Sequence, residues 1–177
     1  MKRLIPALLC IIILLPLQAQ DNSFEMEPQP PSVIARISFI SPKLIAEIAP
    51  SDYFTLSVGF WLKTSFWDYD EGGPSYPYVS PSFTFEPRYY FNLEDRQAKG
   101  KRTRYYSGWY ISLPFNIEFP DLRYSMGGTI GFQYNMGRRW YWNFSIGPGF
   151  TFSDSQFHFS GAGDFGLGII LNKMQSD

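Results

Sequence analysis

The chain has 177 residues, enough for one domain behind an export signal, with 15 basic and 16 acidic residues and one cysteine, Cys10. Near-neutral charge gives no electrostatic reason to expect nucleic acid as a partner. An aromatic content of 19% with mean hydropathy of −0.17 does not suit a helical membrane protein.

Lys2 and Arg3 form a positive n-region, Leu8 to Leu15 an apolar h-region, and Leu17-Gln18-Ala19 a small-residue cleavage site, so residues 1–20 read as a signal peptide. The apolar run is broken by Pro16 and falls short of the roughly 20 residues that a spanning helix needs. Cys10 follows Leu8-Leu9 and is trailed by more h-region, unlike an acylated lipoprotein cysteine. Its removal leaves no thiol, which excludes disulfides, a cysteine nucleophile and a zinc-thiolate site. Without Lys2 and Arg3 the balance is 13 basic to 16 acidic residues, a charge of about −3.

Asp21 to Pro31 is acidic, carries Pro28, Pro30 and Pro31, and shows no periodicity; it reads as a periplasmic lead-in ahead of a barrel spanning residues 32–177. Within Ser32 to Ala49, Ala35, Ile37 and Phe39 are the apolar phase, then Leu44, Ala46 and Ile48. The phase flips across Ser41-Pro42-Lys43, and Pro42 cannot donate to a ladder, which predicts two short strands rather than one long bent strand.

From Tyr53 to Phe66, Phe54, Leu56, Val58, Phe60, Leu62 and Phe66 alternate with Thr55, Ser57, Gly59, Trp61, Lys63 and Ser65. Between Ser82 and Leu93, Phe83, Phe85, Pro87, Tyr89, Phe91 and Leu93 oppose Ser82, Thr84, Glu86, Arg88, Tyr90 and Asn92. Arg104 to Glu118 sets Trp109, Ile111, Leu113, Phe115 and Ile117 against Gly108, Tyr110, Ser112, Asn116 and Glu118. Tyr124 to Asn135 sets Met126, Ile130, Phe132 and Tyr134 against Ser125, Thr129, Gln133 and Asn135. Arg139 to Phe152 puts Trp140, Trp142, Phe144, Ile146, Phe150 and Phe152 on the apolar phase. Phe157 to Asn172 opposes Phe159, Phe165, Leu167, Ile169 and Leu171 to Ala162, Asp164, Gly166 and Gly168.

A period of two with one face apolar and the other charged, repeated over about eight strands, predicts an all-β fold: a closed antiparallel transmembrane β-barrel with a polar lumen. A soluble barrel carrying a hydrophobic ligand is the competing architecture, but it would turn its polar face outward. The short connections at residues 50–52, 93–103 and 136–138 fall at one end, read as periplasmic. The other end receives residues 41–43, 120–123, 153–156 and the long acidic loop Trp67 to Ser80, a candidate recognition surface.

This pattern resembles the small bacterial outer-membrane β-barrel proteins, the outer membrane protein beta-barrel domain group. The resemblance rests on the signal peptide, the alternating strands, the aromatic strand ends Tyr89-Tyr90 and Trp140-Tyr141-Trp142, and the final G-D-F-G-L-G-I-I-L-N from Gly163 to Asn172. It implies residence in the bacterial outer membrane, with lipid and lipopolysaccharide as surroundings, the barrel assembly machinery as a biogenesis partner, room for a further envelope protein partner, and no cofactor. That ending looks like a terminal strand read by the assembly machinery, although no aromatic residue closes the chain.

Lys63, Glu86, Arg88, Glu118 and Asp164 share the inward phase and form a candidate lumen charge network, with Lys63 placed diagonal to Glu86 if the long loop joins adjacent strands. About eight strands leave a lumen filled by side chains such as Trp61, Arg88, Tyr90, Tyr110 and Tyr141, which excludes a porin-like channel. His158 and Ser160 are similar to the His-x-Ser stretch of outer-membrane lipid A deacylases, and imply a hydrolase as the alternative function. Gly161 stands where that family has Asn and Ile170 where its acid falls, and both candidates share the inward phase of Asp164. A base without an orienting acid is an incomplete triad, so no enzymatic activity is expected. Arg96, Lys99, Lys101, Arg102 and Arg104 form a basic cluster, either a solvated hairpin or a contact for anionic headgroups. No metal-ligand spacing or glycine-rich phosphate loop is present.

Overall fold

The structure is a computed structural model that describes residues 33–65, 78–120, 122–153 and 156–172. The expected signal peptide and lead-in, most of the acidic loop, and Asp154 lie outside the described residues. The strands are β1 (Val33–Ser38), β2 (Lys43–Ile48), β3 (Phe54–Ser65), β4 (Tyr78–Tyr90), β5 (Gly108–Ser112), β6 (Phe115–Glu118), β7 (Arg123–Gly127), β8 (Thr129–Met136), β9 (Trp140–Ser153) and β10 (Gln156–Ile170), with a short helix α1 (Leu93–Ala98) after β4.

Every pairing is antiparallel, and β10 pairs with both β9 and β1, which closes the sheet. β5 and β6 lie end to end along β4, and β7 and β8 lie end to end along β9, so the ten segments make eight staves of a closed barrel. The breaks face each other: Pro114, which has no N–H to give, interrupts one stave, and Gly128 the other, while the Gly127 N–H donates to the Pro114 carbonyl at 3.0 Å. A Cβ on Gly147 of β9 would lie 2.0 Å from the Gly128 carbonyl oxygen, so only glycine permits this approach.

The inward and outward phases follow the alternation of the sequence. Arg36, Thr55, Glu86, Gln133 and Asn143 are buried toward the lumen, while Leu44, Phe60, Phe85, Trp109, Ile130 and Phe144 are exposed outside. The phase flip between β1 and β2 is a turn at residues 39–42, and the register Ser38↔Lys43 makes the pair a tight hairpin of two six-residue strands. Lys43, expected in that turn, is therefore the first ladder residue of β2 and points inward.

The breaks at Pro114 and Gly128 divide two segments expected as single strands, and two strand boundaries also move. The fourth strand ends at Tyr90 rather than Leu93: Leu93 opens α1 and is buried instead of outward. The next strand begins at Gly108, not Arg104, because Tyr105 and Tyr106 adopt left-handed backbone conformations with φ of 50° and 61°. A residue with positive φ cannot continue a strand.

Candidate functional site

The segment from α1 to Ser107 folds into one mouth of the barrel and seals it. Leu93, Tyr105, Tyr106 and Ser107 are buried there, packed with Ile34, Tyr90, Tyr110, Tyr141 and Ile170. The Tyr105 carbonyl accepts hydrogen bonds from Arg36 Nη2 at 3.1 Å, Gln133 Nε2 at 3.0 Å and Asn135 Nδ2 at 3.1 Å. Three bonds onto one carbonyl, each worth about 1 kcal/mol and more for the guanidinium, offset a left-handed backbone that costs roughly 1–2 kcal/mol per residue. The Tyr106 hydroxyl donates to the Ser51 carbonyl at 3.0 Å and ties the cap to the neighbouring turn.

The basic cluster, read as a solvated hairpin or a headgroup contact, is partly built into this cap. Arg96 lies 5.7 Å from the Phe132 ring centroid and donates to the Arg102 carbonyl at 3.0 Å, while Arg102 reaches the Asn135 carbonyl. Lys99 and Lys101 remain exposed.

Above the cap the lumen is crossed by ion pairs, all but Lys63 of their side chains largely buried. Arg36 pairs with Glu47, which also accepts from Thr55 and from the Tyr90 hydroxyl. Arg88 donates to Glu86 at 2.6 Å and to Gln133 at 3.2 Å, with its guanidinium 4.8 Å from the Tyr110 ring centroid; Ser112 completes Glu86 at 2.7 Å. Lys43 pairs with Asp164 at 2.9 Å, and Lys63 with Glu118.

All five proposed network residues line the lumen, yet Lys63 does not meet Glu86. The observed register sets Lys63 opposite Ser80 and Glu86 opposite Ser57, six residues along the strand, so Lys63 reaches over β4 to Glu118. Arg36 and Lys43 extend the network, together with Glu47, which the alternation of β2 already places on the lumen side. The inward phase of Arg36 and Glu47 was the available signal, and the tightness of the turn decided Lys43.

Toward the end opposite the cap, a cavity of about 140 Å³ remains, with Trp61, Lys63, Asn116, Ser125, Ser160 and Asp164 in its walls. Ser160 shares a 3.2 Å hydrogen bond with Thr151. His158 is exposed, and no described residue forms a hydrogen bond or ion pair with its ring. Asp164, the carboxylate nearest in sequence among the described residues, is held by Lys43 and by Asn143 Nδ2 at 3.2 Å. Among the described residues no group of histidine, cysteine and carboxylate side chains is arranged to hold a metal ion. Neither family models, nor curated proteins, nor solved structures give a match to this chain, so the reading rests on its own geometry.

Proposed function

We propose that this chain is an integral outer-membrane β-barrel protein with a structural, surface-interaction or accessory role and no catalytic activity. The observation that carries the reading is the outer face: Val33, Leu44, Phe60, Phe83, Trp109, Ile130, Phe144 and Phe159, one from each stave, are all exposed apolar side chains around a polar lumen. Soluble monomers rarely expose contiguous apolar patches beyond a few hundred Å², whereas a bilayer is the natural solvent for such a band. Closure supports the same reading, because spanning strands belong to sheets that return on themselves, and the longer strands, β3, β4, β9 and β10, exceed the roughly 9–11 residues that span a bilayer.

The capped lumen supports a non-conducting role: Tyr90, Tyr105, Tyr110 and Tyr141 fill one end. Surface interaction then falls to the connections of the opposite end; the acidic segment with Asp68, Asp70 and Glu71, the expected recognition surface, lies outside the described residues. Lipid and lipopolysaccharide surround the wall in this reading, and the barrel assembly machinery reads β10, which ends at Ile170. Membrane fractionation tests it. The protein is expected to stay in the outer-membrane pellet through an alkaline carbonate wash; release into the soluble fraction overturns the proposal.

A further inference from the structure

The wall of the barrel is uneven. β1 and β2 have six residues each, about 20 Å of strand and, at a tilt near 45°, about 14 Å of height against a lipid-facing band about 25 Å tall. β10 is paired with β1 only over Arg36↔Ile170 to Ser38↔Gly168, and β2 reaches only Trp61 on β3. Beyond those points, among the described residues, no strand pairs with β10 on its β1 side or with β3 on its β2 side. The result is a notch between β10 and β3 above the turn at residues 39–42. With strands about 4.8 Å apart it is about 14 Å wide along the wall.

The rim of the notch is apolar. Phe39 and Ile40 form its floor at 52% and 56% exposure, Leu62 stands on one side, and Phe157 and Phe159 stand on the other. Behind the rim lies the polar cavity, whose lining includes Gly161 and Gly163, and an added Cβ at Gly161 would meet nothing within 4 Å on the outer face. The backbone phase of β10 is fixed by the Phe39 N–H to Leu167 carbonyl bond and by Ser41 Oγ donating to the Phe165 carbonyl. By the same alternation Gly161 and Gly163 present their N–H and C=O groups to the notch.

Resting on the membrane reading above, we propose that this notch is a lateral binding site for a phospholipid-class amphiphile with a primary-ammonium zwitterionic headgroup. Its acyl chains stay against Phe39, Ile40, Leu62 and Phe159, and its headgroup enters the cavity. Three observations select the headgroup. Unpaired backbone groups facing hydrocarbon are costly, so a polar moiety belongs in the notch. The cavity wall carries Lys43 and Lys63 against Glu86 and Asp164, a balance that favours neither a net anion nor a net cation. Asp164 Oδ1 is enclosed without a hydrogen-bond partner among the described residues, and the Lys63 side chain, paired with Glu118, is still 35% exposed. An ammonium donor satisfies the first and a phosphate oxygen the second. A quaternary choline has no N–H to offer Asp164.

The test uses the full barrel folded in detergent and native mass spectrometry of retained lipid. Phosphatidylethanolamine, phosphatidylcholine and phosphatidylglycerol are the probes, with glycerophosphoethanolamine as the chain-free source of the same headgroup. One phosphatidylethanolamine is expected per barrel, retained about tenfold better than the other two lipids, as one charge-assisted hydrogen bond would give. Glycerophosphoethanolamine is expected to bind weakly. Gly161→Leu, which narrows the notch, and Asp164→Asn are each expected to remove the preference while the heat-modifiable migration of the folded barrel persists. Equal retention of the three lipids, or a preference unchanged by Gly161→Leu, overturns the inference and leaves the membrane reading standing. Folding in buffer without detergent defeats the membrane reading itself.

Discussion

Glu86 is the residue on which two lumen layers depend. It satisfies Arg88 and Ser112, Arg88 in turn holds Gln133, and Gln133 donates to the cap at the Tyr105 carbonyl. Glu86→Gln keeps the shape and removes the charge, leaving a fully enclosed guanidinium uncompensated. The expected destabilisation is about 3 kcal/mol in a urea titration of the folded barrel; an unchanged midpoint would mean that the pair is hydrated. Ser160 is the contrasting case. It bonds to Thr151, and His158 is exposed without a carboxylate partner among the described residues, so Ser160→Ala is expected to leave the acylation of lipid A unchanged by mass spectrometry. Loss of an acyl chain in cells with the native protein, abolished by that substitution, would install the hydrolase reading. Residue-level orientation was legible wherever a strand ran regularly, because a period of two fixes which side chains face in. Pairing was not: Lys63 meets Glu118 because of the register between β3 and β4, which no periodicity encodes.

Between neighbouring staves, the seam of β1 and β10 is the shortest ladder. It holds three paired positions, extended by the Leu171 N–H to Ala35 carbonyl bond and by Asn172, whose side chain donates to the Val33 carbonyl and accepts from the Ala35 N–H like one more rung. Gly168 allows the strands to meet, since a Cβ there would stand 1.8 Å from the Ile37 carbonyl oxygen. Gly168→Ala is expected to cost about 1–3 kcal/mol, as overpacking does, and to lower the temperature at which the folded band is lost on electrophoresis. A folded band as heat-stable as that of the native chain would show that the seam relaxes freely. The hairpin of β1 and β2 was legible from its phase flip, a signal that needs only the sequence. The cap was not. A helix of six residues and two tyrosines at positive φ have no periodic signature, and aromatic pairs next to a strand read as its continuation.

Across the whole molecule, the two faces of the barrel differ in what one added charge costs. Phe144→Arg places a charge on the exposed apolar face of β9, and Ser125→Arg places the same charge at the wall of the lumen cavity. In lipid the first is expected to cost about 2–4 kcal/mol if it lies at mid-membrane depth, and the second much less. Gln133 is unsuited to this comparison, because it is fully buried and bonded to both Arg88 and the cap. Equal effects at positions 144 and 125, read as vesicle folding equilibria, would reverse the assignment of inside and outside. The most direct measurement of the central claim is refolding of residues 21–177 from urea with and without phospholipid vesicles, followed by circular dichroism and heat-modifiable migration. β-sheet signal and a compact, heat-sensitive band are expected only when vesicles are present. A folded, monodisperse monomer in buffer alone would contradict that claim.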